Sequence, residues 1–135
     1  MAGHQAPIIV RGESGKVVTL PSRGGLPFGQ LPAFPFESGL TSLGPGDVLV
    51  LYTDGVTEAM SRTLELFGEE RFRDALLESA RLPLPEMRRR VMGRIMAHVD
   101  GAPLSDDLTL ILLRRDARYH GRAERASFHM RAHHR

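Results

Sequence analysis

Two short apolar runs constrain this chain more than anything else in it. One is Val48–Tyr52, inside "GDVLVLYTDGVTEA", residues 46–59; the other opens "LTLILLRR", residues 108–115. Both are strand-length, bounded by turn residues, and lack a polar face, so each reads as a strand covered on both sides, the first running from Val48 to Thr53. Each also carries acid at one end. Asp54 follows the first run, and Asp106 and Asp107 precede the second. If the two strands run antiparallel, Asp54 and the Asp106–Asp107 pair converge at one edge of a sheet. Carboxylates held that close repel unless they are protonated or bridged by a cation. Oxygen donors without cysteine or a histidine cluster favour the hard ions Mg²⁺ and Mn²⁺. A plainer reading competes. Asp-Gly after a strand, here Asp54-Gly55, is a common turn signal, and Ser-Asp-Asp before a strand is an ordinary loop. Spacing alone leaves both open.

The rest of the pattern suggests what surrounds these strands. "PIIVRGESGKVVTL", residues 7–20, pairs two β-branched runs, Ile8–Val10 and Val17–Leu20, across a glycine-containing turn, as a hairpin does. Residues 21–45 are rich in Gly and Pro, with Pro35–Ser38 and Gly39–Leu43 as candidate edge strands. From Phe67 to Ala80 the period becomes helical, with Phe72, Ala75, Leu76 and Ala80 on one side. Leu82-Pro83-Leu84-Pro85 breaks that helix. A second follows from Glu86 to Val99, with Met87, Val91, Ile95 and Val99 at intervals of four. Strands, two helices and a strand make an α+β domain with helices on a mostly antiparallel sheet.

Composition narrows the function class. A chain of 135 residues, 41% hydrophobic and 25% charged, is one ordinary globular domain. No stretch approaches the roughly 18 apolar residues of a membrane span, and the N-terminus does not have a signal-peptide pattern. With no cysteine there is no disulfide and no thiolate metal site, and the default location is cytoplasmic. The net charge of +2 is uneven: residues 1–113 hold 11 basic against 14 acidic residues, whereas residues 114–135 hold 7 against 2. Residues 116–135 therefore read as a solvated basic tail after a domain spanning 1–115. They carry no basic-aromatic motif that would make them a specific nucleic-acid arm.

"LYTDGVTEA", then helices, then "SDDLTLILLRR", resembles the protein phosphatase 2C-like class of metal-dependent serine/threonine phosphatases, in particular its bacterial SpoIIE-like branch. "AGHQAPIIVR" is similar to that branch's Gly-His-x-Pro-Pro strand, with Ala6 in place of the first Pro, and "GGLPFG" to the turn after it. The resemblance covers about residues 2–115. It implies an antiparallel β-sandwich flanked by helices in α-β-β-α layers, with a two-metal site at one end. Asp54 and Asp106 match metal-binding aspartates, and Asp107 sits where relatives have Asp or Asn. Gly55 and His4 are the further candidates for the binding site. The implied chemistry is a metal-activated water attacking a phosphoserine or phosphothreonine, without a phosphoenzyme. The implied substrates are phosphorylated anti-anti-sigma proteins.

The family pattern also has an upstream Asp-x-x-Gly-His-Gly element whose Asp bridges both metals. The sole Gly-His pair here, Gly3-His4, belongs to the later motif, so the chain reads as the C-terminal part of such a domain. Two carboxylate positions alone would hold a hard dication weakly. The isolated chain is therefore expected to be a poor phosphatase. Unpaired strands would also bare apolar surface and promote self-association; a clean monomer on size-exclusion chromatography would count against this. The alternative function is a catalytically impaired protein-interaction module. Among other residues, Glu58 reads either as a support for the site or as a helix-start carboxylate. His98 suits a helix C-terminus, Arg88–Arg90 a solvated helix face or an acidic-partner patch, and the tail histidines offer no fixed geometry.

Overall fold

The computed structural model describes residues 5–21 and 39–116, and the backbone of 123–130. In chain order the elements are β1 (Ile8–Val10), β2 (Val17–Thr19), β3 (Val48–Tyr52), α1 (Asp54–Thr57), α2 (Gly68–Ser79), α3 (Leu84–Val99), β4 (Leu108–Arg115) and β5 (Ala123–Met130). The five strands form one antiparallel sheet in the order β2-β1-β3-β4-β5. The α+β class and the hairpin at residues 7–20 are as the sequence implies. Of the four layers suggested by the resemblance, the described residues contribute a sheet and a helical layer.

Alternation positions the core. Val48, Val50 and Tyr52 of β3 and Leu108, Leu110 and Leu112 of β4 are buried in one cluster with Phe72, Ala75 and Leu76 of α2 and Met87, Val91 and Ile95 of α3. Burying each large side chain contributes about 2 kcal/mol. The Tyr52 and Phe72 rings meet edge-on at 4.8 Å between centroids, the geometry favoured by the ring quadrupoles. The intervening residues Leu49, Leu51, Ile111 and Leu113 are half-buried. These strands were expected to be covered on both faces. A helical layer on one side buries only every second residue, so the other apolar face is less covered.

β2, β3 and α2 end within a residue of the sequence reading, and three larger differences stand out. α3 begins at Leu84 rather than Glu86, with Pro83 as its N-cap and Pro85 in its first turn. Proline is tolerated there because the first N–H groups of a helix have no intrahelical acceptor. Gly39–Leu43 is not a strand; Leu43 instead lends its carbonyl to the Arg115 guanidinium at 2.6 Å. Pro35–Ser38 lies outside the described residues. Most consequentially, residues 116–135 are not simply a solvated tail. Ala123–Met130 pairs along the whole of β4, from Arg115↔Ala123 to Leu108↔Met130. A strand edge offers backbone donors and acceptors to any segment that reaches it, and here Ala126, Phe128 and Met130 alternate with polar residues at strand period.

The opposite end of the sheet from Asp54 is closed by a buried carboxylate that had the sequence signature of a turn. Asp47 is 5% exposed. It accepts hydrogen bonds from the N–H groups of Gly12 and Gly44, each at 2.8 Å, and from the Arg11 guanidinium at 2.8 Å. Burial pushes its pKa up, but the Gly12 N–H, the Arg11 side chain and the Gly44 N–H outweigh this and hold it below the ordinary 3.8. Arg115 N–H donates to the Asp47 carbonyl at 3.0 Å, so one residue links the β1–β2 turn, the start of β3 and the end of β4.

Candidate active site

The register of β3 against β4 assembles the site. Tyr52 pairs with Leu110, and the ladder runs one step past both strands. Thr53 N–H donates to the Thr109 carbonyl at 3.1 Å. The Thr53 hydroxyl accepts the Thr109 N–H at 3.0 Å and donates to the Asp107 carbonyl at 3.4 Å. Thr53 itself is extended (φ −101°, ψ 164°) and caps α1, whose first residue is Asp54. The chain turns at once, with Val56 N–H reaching the Thr53 carbonyl at 3.0 Å and Glu58 N–H the Asp54 carbonyl at 2.8 Å. Asp54 thus ends a strand and opens a single helical turn.

Gly55 explains why the two acidic segments can meet. A Cβ on it would lie 2.0 Å from the Asp107 carbonyl oxygen, 2.8 Å from that carbonyl carbon and 3.1 Å from Leu108 Cα. All three are backbone atoms, which cannot swing aside as a flexible side chain can. The glycine singled out as a binding residue therefore has a packing role here: it lets α1 press onto the backbone that carries Asp107. Val56 and Ala59 on the same segment are buried in the core, which fixes this turn to the rest of the fold.

Asp54, Asp106 and Asp107 are exposed at this common edge, as the antiparallel reading required. Asp54 Oδ1 accepts the Gln5 side-chain amide, so the segment entering β1 reaches the same edge. Asp106 Oδ1 accepts the Asp107 N–H at 2.7 Å, a local bond that shapes the loop before β4. These carboxylates are hard oxygen donors of the type that suits Mg²⁺ or Mn²⁺. Among the described residues, no three His, Cys, Asp or Glu side chains converge as a metal-holding group. The edge therefore carries hard oxygen donors without a metal-holding cluster among the described residues.

The other candidates fall into place around this edge. His4 lies outside the described residues. Glu58 is at the C-cap of α1 rather than at a helix start, which removes the dipole argument for it. A ring nitrogen of His98 donates to the Glu65 carbonyl at 2.8 Å, and the ring meets Phe67 edge-on at 5.5 Å; it ties α3 to the loop ahead of α2. Two residues were missed. Thr53 looked like an ordinary strand end, yet its hydroxyl links both strands. Gln5 was part of the quoted N-terminal motif, but a side-chain amide gives no signal of its partner.

Comparison with known proteins agrees with the motifs. The class is that of the protein phosphatase 2C-like proteins. Within it the chain belongs to the SpoIIE family: the model of that family, Stage II sporulation protein E, matches residues 1–116. Protein IcfG of Synechocystis sp. is 32% identical over 117 residues, covering 85% of this chain but 18% of IcfG. The chain thus spans less than a fifth of the curated relative it matches. No solved structure matches it.

Proposed function

We propose that this chain is the C-terminal part of a metal-dependent protein-serine/threonine phosphatase domain, acting on a phosphorylated regulatory protein of the anti-anti-sigma type. The observation that carries this reading is the clasp between the Asp54 turn and the Asp107 backbone, with Gly55 lying against the Asp107 carbonyl. It sets the backbone of the Asp54 turn against that of Asp107, and Asp54, Asp106 and Asp107 are all exposed. Asp54 and Asp106, with Asp107 beside them, would hold Mg²⁺ or Mn²⁺. The bound ion supplies a water of lowered pKa and neutralises phosphate charge. Thr53 and Gly55 keep the carboxylate-bearing segments in register, and Gln5 orients the Asp54 carboxylate. A cytoplasmic setting belongs to the same reading and rests on the absence of cysteine. Among the described residues, no helix is long and apolar enough to cross a membrane.

A second reading, a binding module with impaired chemistry, is favoured by the lack of a three-ligand cluster among the described residues. Hydrolysis of an aryl phosphate by the purified chain, with and without Mn²⁺ and beside Asp54→Asn, separates the two. Enzyme function predicts turnover that needs both Mn²⁺ and Asp54, with Asp54→Asn at least about a hundredfold slower, as for loss of a group acting directly at the reacting centre. A folded chain with no Mn²⁺-dependent turnover would leave the binding module as the reading for this chain.

A further inference from the structure

The antiparallel pairing of β5 with β4 brings the end of one strand to the start of the other. Met130, the last residue of β5, is opposite Leu108, the first of β4. Asp106 and Asp107 immediately precede Leu108 in the chain, and Arg131 immediately follows Met130. The ladder therefore carries the chain after β5 to the edge where the Asp54 turn meets the Asp107 backbone. β5 lies beyond residues 1–116, which the family model matches, so this delivery belongs to a part of the chain that the match does not cover.

The register selects which residues come closest. Thr109 turns its backbone toward β3: its carbonyl accepts the Thr53 N–H at 3.1 Å, and its N–H donates to the Thr53 hydroxyl at 3.0 Å. Successive residues of a strand point these groups to opposite sides, so Leu108 turns its own toward β5 and forms a hydrogen-bonded pair with Met130. The next step of an antiparallel ladder is a pair without hydrogen bonds, in which the Cα atoms approach to about 4.5 Å and side chains lie nearest. The residues at that step are Asp107 and Arg131. Charge is complementary across it. Asp54, Asp106 and Asp107 are exposed, whereas residues 131–135, Arg-Ala-His-His-Arg, hold two arginines and no acid. Glu124 is opposite Arg114 at the far end of β5, about 20 Å from Met130 at ~3.3 Å per residue, and Asp116 follows β4 at that same far end. The three aspartates are therefore the acids at the end of the sheet where this segment emerges.

We propose that residues 131–135 of this chain occupy the carboxylate edge as an internal basic cover, with Arg131 against Asp107, and that a divalent cation must displace them. The contact itself does not need the edge to be catalytic; only the competition with a cation rests on the phosphatase reading. An exposed ion pair is weak and screened by salt, which suits a cover that gives way to a dication rather than a permanent strut.

The chain contains no cysteine, so His133→Cys takes a single nitroxide label in the full chain, and its broadening of the Gly55 amide resonance is read by NMR. Gly55 meets the Asp107 carbonyl, which points toward Thr53 and away from β5, so strand pairing alone does not hold the label over it. The label is expected to broaden Gly55 strongly. That broadening should be lost on Arg131→Glu and on Asp106→Asn with Asp107→Asn. It should also be lost in NaCl of about 1 M, where the Debye length is about 3 Å, while the β5 amides keep their shifts. Mg²⁺ at constant ionic strength should relieve it as well. No broadening at Gly55 would overturn the proposal. So would broadening that neither the substitutions nor salt reduce, which would mean that strand pairing alone places the segment. Release by the substitutions and by salt but not by Mg²⁺ would uphold the contact and count against the carboxylates as a cation site, so the two readings fail separately.

Discussion

Gly55→Ala is expected to cost about 3 kcal/mol or more, and to lower the thermal midpoint on the order of 10 °C for a domain of this size. The added methyl would sit 2.0 Å from the Asp107 carbonyl oxygen. Relief requires either α1 or the start of β4 to move. Either motion breaks the bonds from the Thr53 hydroxyl to the Asp107 carbonyl and from the Thr109 N–H to that hydroxyl. The same movement would separate Asp54 from the Asp106–Asp107 pair, so any Mn²⁺-dependent turnover should fall with stability. Gly93→Ala is the control. It makes the same chemical change in open space within a helix and should be neutral or stabilising by up to about 1 kcal/mol. A Gly55→Ala protein that melts with the wild type would show that α1 does not press on the Asp107 backbone.

Asp47→Ala is expected to destabilise by about 3 kcal/mol. It removes the acceptor for two backbone N–H groups and leaves Arg11 without its carboxylate. Arg11 is about a third exposed, so water partly compensates it; the glycine N–H groups account for more of the loss. The pH dependence follows from the direction of the shift. The folded-state pKa of Asp47 is below the ordinary 3.8, so its charged form binds the fold better than its neutral form. Its contribution is fully present above about pH 4 and is lost as pH falls through the folded-state value. Urea midpoints measured from neutral pH down to about pH 3 should drop more for wild type than for Asp47→Asn, which has no charge to lose. Parallel curves for the two proteins would mean that Asp47 is not held ionised by these partners.

Both predictions concern residues whose importance could not be read from their neighbours in the chain. Asp47 sits in "LGPGD", a turn by every local criterion, and its burial arises because Gly12, thirty-five residues earlier, brings its N–H within 2.8 Å. Gly55 follows an aspartate, as turn glycines do, and only the approach of Asp107 distinguishes it from them. Ala126, Phe128 and Met130 alternate with polar residues, but the pattern is short and set in a basic tail, and its pairing depends on the edge of β4 being there to meet it.

What the sequence by itself determined was local or periodic. The apolar runs at Val48–Tyr52 and Leu108–Arg115 became strands, and the spacing through Phe72, Ala75 and Leu76 and through Met87, Val91 and Ile95 became the buried faces of two helices. A side chain's period along the chain decides which face it shares, whatever lies opposite. The placement of the Asp54 turn beside the Asp107 backbone was legible too, because antiparallel pairing joins the end of one strand to the start of the other. The tertiary structure alone decided which groups hold that edge together. The Thr53 hydroxyl, the Gln5 amide and the missing Cβ of Gly55 act through contacts with residues about fifty positions away, and such contacts exist only once the backbones have been brought within hydrogen-bonding and van der Waals distance.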